Sequence, residues 1–254
     1  MAIANYWIQY TPHPNLMLRE IDRNIWVGER QLKFLGLEVG TRMTVIRLDN
    51  GELIIISPID VDETTIQQIN ALGHVTTIIA PNCYHHLFLN NFKSIYPNAE
   101  IWIAPGLDLK RPDIKSDRIL NECGKIGNLN EVEYLLFAGF QTIGIGNSGI
   151  LNEIVFWHRE SQTLILTDTA FHFDDSFPWQ TRLIAKVLGG DRQLEPTLLE
   201  KLASRDKAQV KQSIQKVLCW DFHRVIMAHG SIIERDGKRQ LQAGYEKFLS
   251  TINL

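Results

Sequence analysis

The chain has 254 residues, with 26 basic and 29 acidic side chains and a formal net charge of -3, which leaves no electrostatic case for a nucleic-acid partner or an anionic membrane. Hydrophobic residues make up 44% and charged residues 22%, enough apolar material for a sizeable core and too ordinary a mixture for a disordered or fibrous protein. Three cysteines, Cys83, Cys123 and Cys219, form a poor disulfide framework, and neither a signal-like start nor an apolar run of about 18 residues is present, so a cytoplasmic protein is expected.

The first 60 residues alternate in the manner of strands, at 24–28, 41–48 and 53–57. The Asp49-Asn50-Gly51 sequence between the last two signals a hairpin, because Asn-Gly tolerates the backbone of a tight turn. Residues 62–72 carry apolar side chains at Ile66, Ile69 and Leu72, acids in the first turn and Gly73 beyond the end, the pattern of a capped helix.

From Gly73 onward, short apolar strands alternate with helical stretches, as in an α/β layer whose strands are covered on both faces. Strands are predicted at 75–80 and 101–104 with a short helix at 87–96 between them, and 107–129 reads as irregular. Further strands are expected at 133–137, 142–145, 153–157 and 163–167, the last two joined by a turn at 158–162. Helices at 181–188 and 206–218, a strand at 224–228 and a helix at 237–251 complete the chain. The lysines around Lys207 and Lys211 fall opposite Val210, Ile214 and Val217, so they belong to the solvated side of an amphipathic helix. No glycine-rich linker divides the sequence, and 1–254 is expected to be one domain.

Three side chains stand just past the ends of apolar strands: His86 after the strand at 75–80, Asp168 after 163–167 and His229 after 224–228. Loops at the carboxyl ends of an α/β sheet expose side chains on a backbone that the strands hold fixed. Two imidazoles and a carboxylate also make a ligand set for zinc or iron with positions left open. Singly, each has a structural explanation as well, His86 as a packed ring and Asp168 as a turn cap.

This order of elements and residues resembles the metallo-β-lactamase-like superfamily. More closely, His85-His86-Leu87-Phe88, Tyr96-Pro97-Asn98-Ala99, the run from Ala104 to Lys110, and that from Asn152 to His158 leading into Thr163 to Asp168 are similar to an uncharacterised branch of it, classed as a domain of unknown function. The resemblance implies an αββα four-layer sandwich, with two mixed β-sheets flanked by helices. It also implies a His-x-His-x-Asp-His loop. Here that loop is Pro81-Asn82-Cys83-Tyr84-His85-His86, which retains only the last histidine. Pro81 and Cys83 replace the first two histidines, His85 replaces the aspartate, and the next histidine falls near Gly149. The first metal position has thus lost two of its three ligands, with the Cys83 thiol as a remnant.

The second position keeps His86, Asp168 and His229, with His85 where its fourth ligand would stand. The resemblance therefore implies zinc or iron, one ion or none, in a mononuclear hydrolase of a small-molecule substrate. The rival reading is a metal-free pseudoenzyme that serves as a binding or scaffolding module.

His172, soon after Asp168, is a candidate proton shuttle, and Glu153 could restore negative charge unless it pairs with Arg159 or Lys186. His158 is expected to make a turn hydrogen bond, and Cys83 has a second reading as a reactive thiol. The glycines of 144–149 imitate a dinucleotide fingerprint but lack the helix that would face a pyrophosphate.

Overall fold

A computed structural model describes residues 8–10, 17–140, 152–197 and 206–250. The N-terminal part holds β1 (Ile8–Tyr10), β2 (Arg19–Asp22), β3 (Ile25–Arg30), β4 (Leu32–Phe34), β5 (Leu37–Glu38), β6 (Thr41–Arg47) and β7 (Glu52–Ile56). Next come α1 (Glu63–Leu72), β8 (His74–Ala80), α2 (Leu89–Ile95), β9 (Glu100–Ile103), α3 (Leu107–Lys110), β10 (Arg118–Ile119), β11 (Gly124–Ile126) and β12 (Val132–Phe137). The remainder is β13 (Glu153–His158), β14 (Thr163–Ile165), α4 (Trp179–Leu188), α5 (Lys207–Val217), β15 (Arg224–Ile226) and α6 (Gly237–Ser250).

Two mixed sheets carry the fold. The larger has seven strands in the order β10-β9-β8-β7-β6-β3-β2, parallel from β10 to β7 and antiparallel beyond. The smaller has five, β11-β12-β13-β14-β15, with only β14 and β15 parallel. A separate three-stranded sheet, β1-β4-β5, lies at the N-terminal side.

Strand alternation explains the layering. On β7, Leu53 and Ile55 face one core while Ile54 and Ile56 face another. On β13, Ile154 and Phe156 meet Ile54 and Ile56 between the sheets, while Val155 points to the outer side. The outer face of the large sheet packs Ile69 of α1 and Leu89 and Phe92 of α2. That of the small sheet packs Val210, Ile214 and Val217 of α5 and Leu241, Tyr245 and Phe248 of α6. The arrangement is the expected αββα sandwich.

Side-chain caps and a glycine turn fix the ends of several elements. The Asp62 carboxylate accepts from the Thr65 backbone N–H at 2.8 Å and caps α1, and Asp206 caps α5 through Gln209 N–H at 2.9 Å. Gly51, at φ 83°, closes the β6–β7 hairpin. The lysines of α5 are solvent-facing. Departures occur where elements are short: 107–129 contains α3, β10 and β11, and the β4–β5 hairpin was not foreseen. The strand predicted at 142–145 and the glycines of 144–149 lie outside the described residues.

Candidate metal centre

Parallel strands end on a common edge, which is what assembles this site. Ser57 follows β7, Asn82 and His85 follow β8, Asp168 follows β14, and His229 follows β15. The first three belong to the large sheet and the last two to the small one. A backbone hydrogen bond from Ile154 N–H to the Pro81 carbonyl at 2.8 Å ties the sheets together beside them.

His85, Asp168 and His229 form a group whose donor atoms all lie within 4.8 Å of one another. His85 Nε2 is 3.3 Å from Asp168 Oδ2 and 3.4 Å from Oδ1, and His229 Nε2 is 3.5 Å from Oδ1. Charge-assisted hydrogen bonds are shorter, about 2.7 to 2.9 Å. Donors about 2.0 to 2.1 Å from a shared tetrahedral ion are, by geometry, about 3.3 to 3.4 Å apart. The separations to Asp168 therefore fit a coordination edge better than a closed ion pair.

The outer hydrogen bonds aim both rings. His229 Nδ1 is 2.6 Å from the Gly40 carbonyl, an acceptor only, so Nδ1 carries a proton and the ring turns Nε2 toward Asp168. His85 Nδ1 is 2.7 Å from the Ser57 hydroxyl, which can accept from it and leave Nε2 facing the same carboxylate. A buried guanidinium fixes the His229 loop: Arg42 donates to the carbonyls of Met227 and Gly230, and its charge is met by Glu29 at 2.6 Å.

Asn82 joins the two ligand-bearing loops. Its side-chain N–H groups donate to Asp168 Oδ2 at 2.7 Å and Thr167 Oγ1 at 3.0 Å. Its oxygen accepts from the backbone N–H groups of Tyr84 at 2.8 Å and His85 at 2.9 Å. Glu153 supports Asp168 from beneath, accepting from the backbone N–H of Thr167 at 2.7 Å and of Asp168 at 2.6 Å, and from the Thr169 hydroxyl at 3.0 Å. It pairs with neither Arg159 nor Lys186; its charge serves the Asp168 loop.

Electrostatics follow from this packing. Burial alone would raise the Asp168 carboxyl, but His85, His229 and Asn82 outweigh it and hold the group below the usual carboxylate range. Burial opposes charge on His85, yet the neighbouring Asp168 raises its pKa. His229 is lowered, mainly by burial. Burial, then the Asp168 charge, pushes Glu153 up.

His86 is not brought into the group. The loop carries it toward α3, where its Nδ1 lies 3.1 Å from an Arg111 N–H group. A guanidinium can only donate, so that ring nitrogen is engaged as an acceptor. Burial and the nearby Lys110 and Arg111 charges lower its pKa to about 4. His85, reached through the Asn82-fixed turn, occupies the place assigned to His86. Cys83 packs into the core of the large sheet, and burial pushes its thiol up, which opposes both thiolate ligation and activation as a nucleophile. His172 is not among the three donors; its Nδ1 is buried without a hydrogen-bond partner among the described residues, and burial lowers its pKa. His158 makes its turn bond, Nδ1 to the Ser161 hydroxyl at 2.7 Å.

Sequence reasoning did not find Ser57, Asn82, Gly40 or Arg42. Asn82, an amide directly after an apolar strand, carries the one recognisable signal, since Asn side chains bond backbone groups two residues on. Behind His229 lies a cleft of about 310 Å³ whose walls include Gly40, Arg42, Phe177, Pro178 and Gly230.

A family model described as a domain of unknown function, DUF4336, matches residues 22–188. The chain belongs to the DUF4336 family. No curated protein sequence matches this DUF4336 chain. Among solved structures it is similar to the DIM-1 metallo-β-lactamase, at 14% identity and a TM-score of 0.60, covering 94% of this chain and 97% of that one. FIM-1 from Pseudomonas aeruginosa, a metallo-β-lactamase in its mono-zinc form, gives 10% identity and a TM-score of 0.64, covering 94% and 97%. The metal-soaked Flv1 flavodiiron core from Synechocystis sp. PCC6803 gives 14% and 0.62, covering 94% of this chain and 62% of that one. At such identities the likeness is one of fold.

Proposed function

We propose that His85, Asp168 and His229 hold a single zinc or iron ion, and that this DUF4336 chain is a metal-dependent hydrolase of a small substrate. The carrying observation is the spacing of the two Nε2 atoms from the Asp168 carboxylate, at 3.3 to 3.5 Å, with both Nδ1 atoms engaged on the outer side. The fold shared with a mono-zinc lactamase and a flavodiiron core supports the same reading. When bound, the ion would supply Lewis acidity toward an oxygen of water or substrate.

The chain's own groups do the rest. Ser57 and Gly40 orient the rings, Asn82 and Glu153 hold the carboxylate, and Arg42 fixes the His229 loop. Tyr84 lies half-exposed on the His85 loop, under Lys110 Nζ at 4.3 Å from its ring centroid. Burial, with the Asp168 charge, pushes its hydroxyl up, so the group stays protonated and able to donate to a substrate oxygen.

A second reading, the metal-free binding module, draws on the raised His85 and lowered Asp168, which can satisfy each other as an ion pair. Metal analysis of protein purified without chelator separates the two. The hydrolase reading expects one equivalent of metal, lost in His85→Ala and His229→Ala and retained in His86→Ala. Substoichiometric metal that is indifferent to all three substitutions would leave the module.

A further inference from the structure

Helix α4 is amphipathic the wrong way round. Its inward positions are the small Thr181 and Ala185, while Trp179, Leu183 and Val187 are 68%, 53% and 73% exposed and Ile184 is also exposed. Residues 179, 183 and 187 recur at intervals of four, so the three side chains form one outward stripe. Soluble proteins scatter exposed apolar groups singly, whereas a contiguous stripe marks a contact surface.

A second departure lies next to it. Strands β4 and β5 pair through Phe34 and Leu37, leaving Leu35 and Gly36 as a two-residue turn. Both have positive φ, 52° and 81°, the geometry of a type I′ turn that favours Asn-Gly. A bulky leucine at positive φ is strained, and here its side chain also faces solvent, with exposed Phe34 beside it. Helix α4 packs on β5, where the Thr181 hydroxyl donates to the Glu38 carbonyl at 2.9 Å. Backbone strain and solvent exposure are thus both accepted to display an apolar tip adjoining an apolar helix face.

Charge selects the occupant. Helix α4 carries Arg182 and Lys186 and no carboxylate. Arg182 is neutralised by Asp175 at 2.6 Å and Asp191 at 3.5 Å. Lys186 on the helix and Lys33 on β4 are exposed and make no ion pair among the described residues, although Glu38 of β5 stands opposite Lys33 in the hairpin, its carboxylate accepting from the Leu32 backbone N–H at 3.2 Å. A second copy meeting this face across a twofold axis would bring lysines together with no carboxylate on α4 to answer them. A ten-residue helix, about 15 Å long, also offers only part of the roughly 800 Å² per partner that a stable interface buries. A tryptophan-ended apolar stripe flanked by lysines instead suits the interface of a bilayer. No helix among the described residues is long and apolar enough to cross a membrane, which leaves attachment to the surface.

We infer that α4 and the Leu35 turn dock this protein peripherally on an anionic lipid bilayer, with Trp179, Leu183, Val187 and Leu35 entering the headgroup region and Lys33 and Lys186 facing lipid phosphates. The net charge of -3 averages over the whole surface and conceals this local face. Phe177 and Pro178, which lead into α4, also line the cleft behind His229, so docking would place that cleft beside the membrane.

Flotation with vesicles tests the inference, using phosphatidylcholine alone and two parts phosphatidylcholine with one part phosphatidylglycerol. The full chain is expected to float with the mixed vesicles at physiological salt and to remain behind with the neutral ones. Replacing Trp179, Leu183 and Val187 together by serine should weaken binding at least about tenfold, and Lys33→Gln and Lys186→Gln about fivefold each. Since all five side chains are exposed, circular dichroism and the melting temperature should hold steady. The inference is overturned if the wild-type protein ignores the mixed vesicles, or if the folded triple variant binds them equally well. It is also overturned if sedimentation equilibrium shows a dimer that the triple variant dissociates, which would assign the face to a second copy.

Discussion

Asn82 offers the sharpest test of how the candidate metal centre is assembled. It is fully buried and its side chain makes four hydrogen bonds, two donated to Thr167 and Asp168 and two accepted from the Tyr84 and His85 backbone. Truncation to alanine leaves two part-buried N–H groups without their acceptor and removes one donor from a carboxylate. At about 1 kcal/mol for each neutral bond and about 2 for the one to Asp168, Asn82→Ala should lose about 4 to 5 kcal/mol, a large share of the roughly 5 to 15 kcal/mol that holds a domain folded. Asn82→Asp keeps the acceptor side but sets a second carboxylate against Asp168, so at neutral pH it should be no milder. Urea unfolding reads the stability, and competition against a chromophoric chelator reads metal affinity, expected to fall about 10- to 100-fold because the ligand loops lose their shared anchor. An Asn82→Ala protein within about 1 kcal/mol of wild type, with unchanged metal affinity, would refute the bridging role.

Three further outcomes follow from neighbouring contacts. Glu153→Ala should cost about 3 kcal/mol by stranding three donors, and Glu153→Gln less, since its amide oxygen still accepts on one side; equal melting temperatures for both would deny the supporting role. Gly230 has φ 83°, and a Cβ there would collide with the His172 carbonyl. Gly230→Ala should therefore cost about 1 to 3 kcal/mol and reduce bound metal by displacing His229, and a variant with full metal content would count against this. His158 is lowered mainly by burial. With its folded pKa below the unfolded value of about 6.5, it leaves stability unaffected at higher pH. As pH falls below that value, the unfolded chain takes up the proton first and stability declines by up to about 1.4 kcal/mol per pH unit. His158→Asn should flatten that part of the decline in denaturation curves between about pH 7 and 5, and parallel wild-type and variant profiles would contradict it.

The sandwich was legible because its strands are short, apolar and separated by strong turn signals, and because helix caps such as Asp62 and Asp206 act locally. Asp168 and His229 were legible for a related reason: each follows directly on a strand, so its address is set by the sheet. The choice between His85 and His86 was not. They are adjacent in a loop with no periodicity, and their directions depend on the Asn82 oxygen binding the Tyr84 and His85 N–H groups, a contact that no spacing rule encodes. Ser57, Gly40 and Arg42 act on the site from sequence separations of 28, 189 and up to 188 residues, beyond the reach of any local pattern. The β4–β5 hairpin escaped notice because Leu35 stands where a turn usually advertises itself with Asn or Asp. Helix α4 was foreseen as a helix, but periodicity locates a stripe without saying whether it faces the core or the solvent.

The three donors come from loops on two different sheets, with His85 and Asp168 83 positions apart in the sequence. No short stretch of the unfolded chain can reproduce the group, so an ion bound there is a ligand of the native state alone. At a hundredfold excess over its dissociation constant such an ion adds about 2.7 kcal/mol, and it does so as a clasp across the seam where Ile154 meets Pro81. The centre thereby becomes a gauge of how well the sheets are closed. Phe156, buried between them, would then register in metal affinity when truncated, and chelation would lower the melting temperature while leaving each sheet's own hydrogen bonding in place.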